Sequence, residues 1–258
     1  MKKQNGKIGY AILKSGAQIL AAVAFLLFAW WIAYLWADNE LIIPALPDCL
    51  IKAWHFLGDG WFWQCFFATF LRVIFAFSVS FVFAAIFAVV AYLVPSFAKF
   101  FTPIASGLRS LPVLAVTLIL LIVFGAGGAP IAVAFLSLFP MLYTGILAAL
   151  SGINKDLLNA NKVCGVTVKN SVFRVFLPLS APYIVREGVA AFSFALKLVV
   201  SAEVVASTAK SLGGMMKDAQ AYMELPQLFA LVIVTFLVAL VLETVGGVIA
   251  DCVDKAQL

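Results

Sequence analysis

The stretch FFATFLRVIFAFSVSFVFAAIFAVVAYL, Phe66–Leu93, contains one charged side chain, Arg72, and is otherwise almost wholly apolar. A helix of about 20 apolar residues crosses the hydrocarbon of a bilayer, so this run is long enough to tilt or to project beyond it. Its apolar residues are continuous and do not alternate with period two, which favours a helix over a strand of an outer-membrane barrel. Five more runs of this kind lie on either side, with edges near Gln18–Trp36, Pro103–Phe124, Ile131–Leu150, Pro182–Ala206 and Gln227–Ala250. Across the chain 65% of residues are apolar and 11% are charged, against roughly a quarter charged in soluble domains. A soluble fold of this length could not hide that much hydrocarbon from water. The reading is an all-α membrane protein of about six transmembrane helices, with residues 1–17 as a cytoplasmic tail and 18–258 as a single domain. No internal repeat and no low-complexity linker divides the chain.

Positive charge sets the expected orientation. With the N-terminus in the cytoplasm, the inner segments hold most of the basic residues, from Lys2, Lys3, Lys7 and Lys14 to Lys155, Lys162, Lys169 and Arg174. The outer segments hold Lys52, Lys210 and Lys217 alongside Asp38, Glu40, Asp48, Asp59, Asp218 and Glu224. Both termini are therefore expected inside. The first apolar run is too long for a signal-peptide core and ends in Trp30, Trp31, Tyr34 and Trp36, as an uncleaved span with an aromatic belt does. In the first outer loop, Pro47–Asp48 starts a short helix. Cys49, Leu50, Ala53, Trp54 and Leu57 are its expected apolar side, and His55 belongs to its polar side. Such a helix would lie along the membrane surface.

Chemistry-bearing side chains are sparse. The four cysteines, Cys49, Cys65, Cys164 and Cys252, form no CxxC pair, and His55 is the one histidine, so no zinc or haem motif can be assembled. Cys49 and Cys65 could both lie outside and pair, or be buried free thiols. No GxxxxGK[ST] phosphate loop is present, and Gly125, Gly127 and Gly128 read as a turn at a span end. Pro112, preceded by Arg109, interrupts the third span and predicts a broken or re-entrant entry. Arg72 and Arg109, near span ends, read as snorkelling or packing residues.

Lys197 and Glu203 lie within the fifth span. A charge at mid-bilayer is costly and normally faces an interior or a water-filled path. Ser193, Lys197 and Ser201 share one helical stripe, and Glu203 lies on another. These four are the translocation-path candidates, with Lys197 favouring an anionic or polar cargo. A structural partner for Lys197 on another span, for example Glu243, is the competing reading.

Between the fourth and fifth spans lies a long inner stretch, about residues 151–182, long for a bundle connection. Leu157, Leu158, Asn161, Cys164 and Val168 outline a short helix interrupted at Gly165. Val172, Phe173, Val175 and Phe176 continue an apolar face up to Leu177–Pro178. A bent amphipathic elbow of this kind suits a partner's groove.

The same stretch resembles the cytoplasmic signature of the permease subunits of bacterial type I ABC importers. That signature runs Glu-Ala-Ala, three residues, Gly, then about nine residues before a hydrophobic-x-Leu-Pro. Ala160 matches the central alanine, Asn159 and Asn161 depart from the triplet, and Gly165, Leu177 and Pro178 keep the rest. The likeness is strongest to the nitrate/sulfonate/taurine-type branch and runs from about Ile43 to the C-terminus. It is carried by Pro44 and Pro47, Thr69 and Arg72, Arg109 and Pro112, Phe124–Gly125, Phe139–Pro140, Ala202–Glu203 and Leu212–Gly213. Glu187 stands where that family has glycine, and Gly188 follows one residue late. The resemblance implies a permease that forms the substrate path from two copies. Two separate ATPase subunits would bind the elbows through Asn159, Ala160, Asn161, Gly165, Leu177 and Pro178. An extracytoplasmic binding protein would deliver cargo. ATP and Mg would reside on the ATPase, with no cofactor bound and no reaction catalysed by this chain, in the bacterial inner membrane. An ion-coupled secondary transporter is the alternative, since Lys197 and Glu203 could relay ions, but such folds often carry inverted repeats.

Overall fold

The computed structural model describes residues 25, 28–36, 42–153 and 175–255, and these are helical throughout apart from short connections. The helices are α1 (28–36), α2 (Leu46–Phe56), α3 (Gly60–Leu93), α4 (Pro95–Arg109), α5 (Val113–Ser151), α6 (Leu177–Ala206), α7 (Leu212–Ala221) and α8 (Leu225–Lys255). Four of them, α3, α5, α6 and α8, are long and apolar enough to cross a bilayer. The fold is the all-helical one the sequence predicts.

α5 holds two limbs. Gly125 sits at φ 67°, ψ 176°, outside the helical region and accessible at little cost only to glycine. Val113 and Ser137 line one cavity, although an unbroken helix would hold them about 36 Å apart. Leu120 and Phe124 likewise face Gly128 and Ile131. The chain therefore doubles back at Gly125, and α5 holds the expected fourth span together with the part of the third that follows Pro112.

The third span differs from its expected extent. The helix does not run on from Pro103, because α4 ends at Arg109 and α5 is capped by Pro112 in an extended conformation. Proline lacks an N–H and pushes the residue before it out of the helical region, which explains the break at Ser110–Leu111. α4 is thereby a separate amphipathic helix, held by ring contacts of Phe101 with Phe87, Phe139 and Tyr143.

α6 is the hub, packing against α3, α5, α7 and α8. Small residues on α3 (Ala76, Ser80, Ala84, Ala88) are fully buried and let helix backbones approach closely. Gly246 of α8 is occupied by Val189 of α6, so a Cβ there would overlap that side chain.

The outer-loop helix is where expected, and the bundle covers only part of its apolar side. Cys49 and Phe56 are buried, while Leu50, Trp54 and Leu57 are exposed. Small side chains at Cys49 and Ala53 let α2 pack onto α8, and Phe56 stacks on Phe62 with ring centroids 5.2 Å apart. The larger apolar side thus faces outward. His55 is exposed, as its polar-face position predicts.

Cys49 and Cys65 are unpaired and enclosed, and Cys252 is unpaired and exposed. Burial pushes the Cys49 thiol up, and the neighbouring Asp48 charge adds to it. Only the thiolate alkylates, so Cys49 gains reactivity only above the ordinary thiol range. In the folded protein at neutral pH, a thiol reagent should modify Cys252 quickly and Cys49 only on unfolding, as peptide mass mapping would reveal.

Candidate functional site

Two features stand out on the described residues: a charged knot where α3, α6 and α7 meet, and an open groove along α5 and α6. In the knot, the Glu203 side chain is 0% exposed. Arg72 Nη1 donates to Glu203 Oε1 at 2.9 Å, Thr69 Oγ1 donates to Oε2 at 2.9 Å, and the Gly213 backbone N–H reaches Oε2 at 3.2 Å. The Leu212 N–H in turn donates to Thr69 Oγ1 at 2.9 Å. The carboxylate therefore sits at the positive end of α7, where unsatisfied N–H groups favour an anion.

The approach of α7 to α6 is unusually close. A Cβ at Gly213 would lie 2.6 Å from the Val204 backbone N and 2.7 Å from the Val200 carbonyl, so only glycine fits. Ser211 caps the helix by accepting from the Gly214 N–H at 2.8 Å. Thr208 Oγ1 donates to the Ala126 carbonyl at 2.6 Å, tying this roof to the turn of α5. Ser207 and Lys210 adopt positive φ (51° and 37°), strain that the surrounding hydrogen bonds hold in place.

The path candidates separate. Ser193 is buried and its hydroxyl has no hydrogen-bond partner among the described residues, and Glu203 belongs to the knot. Lys197 and Ser201 lie on an exposed stripe of α6 with Tyr183, Arg186, Ala190 and Phe194. Lys197 forms no ion pair among the described residues, so the expected alternative partner, Glu243, does not meet it. Arg72, read from sequence as snorkelling or packing, is half of the ion pair with Glu203.

Two cavities follow that stripe. One of about 330 Å³ is lined by Arg109, Val113, Ser137, Met141, Phe194 and Leu198. Arg109 Nη1 donates to Thr144 Oγ1 at 3.3 Å beside it. The other, about 840 Å³, lies toward the α6 start and is bordered by Gly145, Ala148, Gly152, Tyr183, Arg186 and Glu187. Glu187 folds over Gly145, filling the space where a Cβ would stand. The departure noted from the sequence is thus matched by a glycine on the facing helix, and Gly188 keeps room against Phe77 and Phe81.

Of the elbow residues, Asn159, Ala160, Asn161 and Gly165 lie outside the described residues. Leu177 and Pro178 open α6. Just before them Phe176 is fully buried, 6.0 Å between ring centroids from Tyr92 of α3, and Ser180 Oγ donates to the Phe176 carbonyl at 2.7 Å. The end of the elbow is therefore anchored in the bundle.

A family model described as the binding-protein-dependent transport system inner membrane component matches residues 80–257. The chain belongs to this family. It is the permease subunit of an ABC importer and an integral protein of the inner membrane. The permease is 25% identical over 231 residues to the taurine transport system permease protein TauC of Escherichia coli, covering 87% of this chain and 84% of that one. An ABC transporter permease protein of Brucella melitensis is 27% identical over 201 residues, 75% and 78% of the two chains. Among solved structures, an inward-facing MetNI methionine ABC transporter matches with TM-score 0.59 at 17% identity, over 74% of this chain and 93% of that one. An amino acid ABC transporter solved with histidines gives TM-score 0.62 at 15% identity, over 71% and 89%. These two speak for the fold. The taurine relative agrees with the nitrate/sulfonate/taurine-type branch, and the secondary-transporter alternative is not favoured. Permeases of this family are typically not catalytic themselves.

Removing one partner of a buried pair leaves the other uncompensated and costs about 3–5 kcal/mol. Arg72→Met should therefore lower stability by about that much, and the double variant with Glu203→Gln should lose clearly less than the two single losses combined. Thermal unfolding of the purified permease in detergent checks this cycle.

Proposed function

We propose that this permease imports a small anionic cargo through the α5–α6 groove, driven by a separate ATPase that grips the elbow at residues 151–182. The observation that carries the path is Lys197, a cation about six turns into α6 that is exposed and has no ion-pair partner among the described residues. An uncompensated charge at that depth is tolerated where it meets water or an oppositely charged ligand. Ser201 lies one turn beyond on the same stripe, and Arg109 opens onto the cavity beside Phe194. Ser193 and Glu203 are assigned to packing, since both are enclosed.

The elbow is the coupling element. Asn159, Ala160, Asn161 and Gly165 would meet the ATPase, while Leu177 and Pro178 transmit its motion into α6, supported by the buried Phe176 anchor. A second permease copy closes the groove, an extracytoplasmic binding protein delivers cargo, and ATP and Mg are held by the ATPase. Residues 1–17 form the cytoplasmic tail, residues 18–258 form one transmembrane domain, and both termini are cytoplasmic. Alternating access follows if ATP-driven ATPase closure favours one of two bundle states. The name of the taurine relative supports a small sulfonate-like cargo.

The test uses proteoliposomes holding the permease, its ATPase and its binding protein. Lys197→Met should cut uptake about tenfold or more while the complex stays assembled and its melting temperature is unchanged. Unchanged uptake with a lowered melting temperature would refute the path role. Gly165→Asp should release the ATPase on co-purification, and transport persisting without any ATPase would overturn the importer mechanism.

A further inference from the structure

The groove along α5 and α6 is not uniform in charge. Toward the roof Lys197 is exposed on α6 between Phe194 and Leu198, which line the smaller cavity, while the Arg109 guanidinium reaches Thr144, next to Gly145. Ten residues before Lys197 on α6, about 15 Å toward the elbow, Glu187 borders the larger cavity of about 840 Å³. Its neighbour Arg186 is not its counter-ion, because Arg186 Nη2 pairs with Asp251 at 3.0 Å and Asp254 at 3.4 Å on α8. Glu187 itself makes no ion pair or hydrogen bond among the described residues and is half-exposed. Its stem rests on Gly145, so the side chain is seated at the cavity wall. A seated carboxylate without a partner, inside a spanning helix, is sustained by water in the space it faces.

We propose that Glu187 lines the cargo path and makes it charge-graded, with a cationic position at Lys197 and an anionic one at Glu187 toward the elbow. An anion is then held at the Lys197 level and repelled from the larger cavity, which keeps that segment free of bound cargo. Glu187 is in this sense a second selectivity position, opposite in sign to Lys197. The inference rests on the groove being the path.

The experiment needs no knowledge of the cargo. In the assembled transporter, with Cys164 and Cys252 replaced by alanine, Ala148→Cys places a thiol on the wall that Glu187 shares. Its modification rates by a negatively charged and a positively charged methanethiosulfonate are compared with and without Glu187→Gln. The expected result is that Cys at 148 reacts and that Glu187→Gln raises the anionic-to-cationic rate ratio at least about fivefold. Glu187→Lys should raise it further. A reactive thiol whose ratio does not move with either variant overturns the role of Glu187 and leaves the path reading intact. A thiol unreactive to both reagents, with and without ATP, overturns the path reading itself. Should Glu187→Lys fail to assemble, Glu187→Gln, nearly isosteric, carries the test alone.

Discussion

Glu203 is fully enclosed at the far end of α6, and a buried carboxylate persists only where donors converge on it. Here they come from three helices: the Arg72 guanidinium and Thr69 hydroxyl of α3, and the first N–H groups of α7. The knot thereby decides how the chain is joined at this end. It seats α7 against α6 so closely that Gly213 admits no side chain, and through Thr208 it reaches the Gly125 turn of α5. It adds directional contacts to apolar packing, which by itself discriminates poorly between one arrangement and another within lipid.

A fastened roof at one end gives meaning to the open groove at the other. The larger cavity lies between α5 and the start of α6, and the buried Phe176 packs on Tyr92 of α3. In the proposed coupling, a pull on the elbow would pass through α6 to a bundle tied at the roof and open at the groove, with Lys197 and Glu187 along the moving arm. Coupling of this kind needs two packings of the same helices, and small residues at the α3 interface make sliding between them inexpensive.

Much of this was legible in the sequence, for physical reasons that differ by element. Continuous apolar runs mark spans because nothing else tolerates them, and Pro112 marks a break because it cannot donate a hydrogen bond. The turn at Gly125 was read correctly, since three glycines in four residues weaken a helix. Other features were not legible. The apolar side of α2 is legible from its spacing, but not which of its residues the bundle covers: Cys49 is enclosed while Leu50 and Trp54 stay exposed. Arg72 and Glu203 lie on different helices, and neither one's own neighbourhood indicates the other. The signal takes another form: the landmarks Thr69 with Arg72, Ala202–Glu203 and Leu212–Gly213 are far apart in sequence and meet at one point. Glu187 departs from the family pattern, and its compensation by Gly145 is exposed only by the three-dimensional pairing of α5 and α6.

The central claim is a rigid roof above a moving groove. Electron–electron resonance distances measure it directly in the assembled transporter, with one spin-label pair at Trp61 and Asp218 across the roof and one label at Ala148 in each permease copy. With ATP bound, and then after hydrolysis, the roof distance should stay constant within about an ångström while the distance between the two 148 positions changes by several. A roof distance that shifts with nucleotide, beside a 148 distance that does not, would contradict the account.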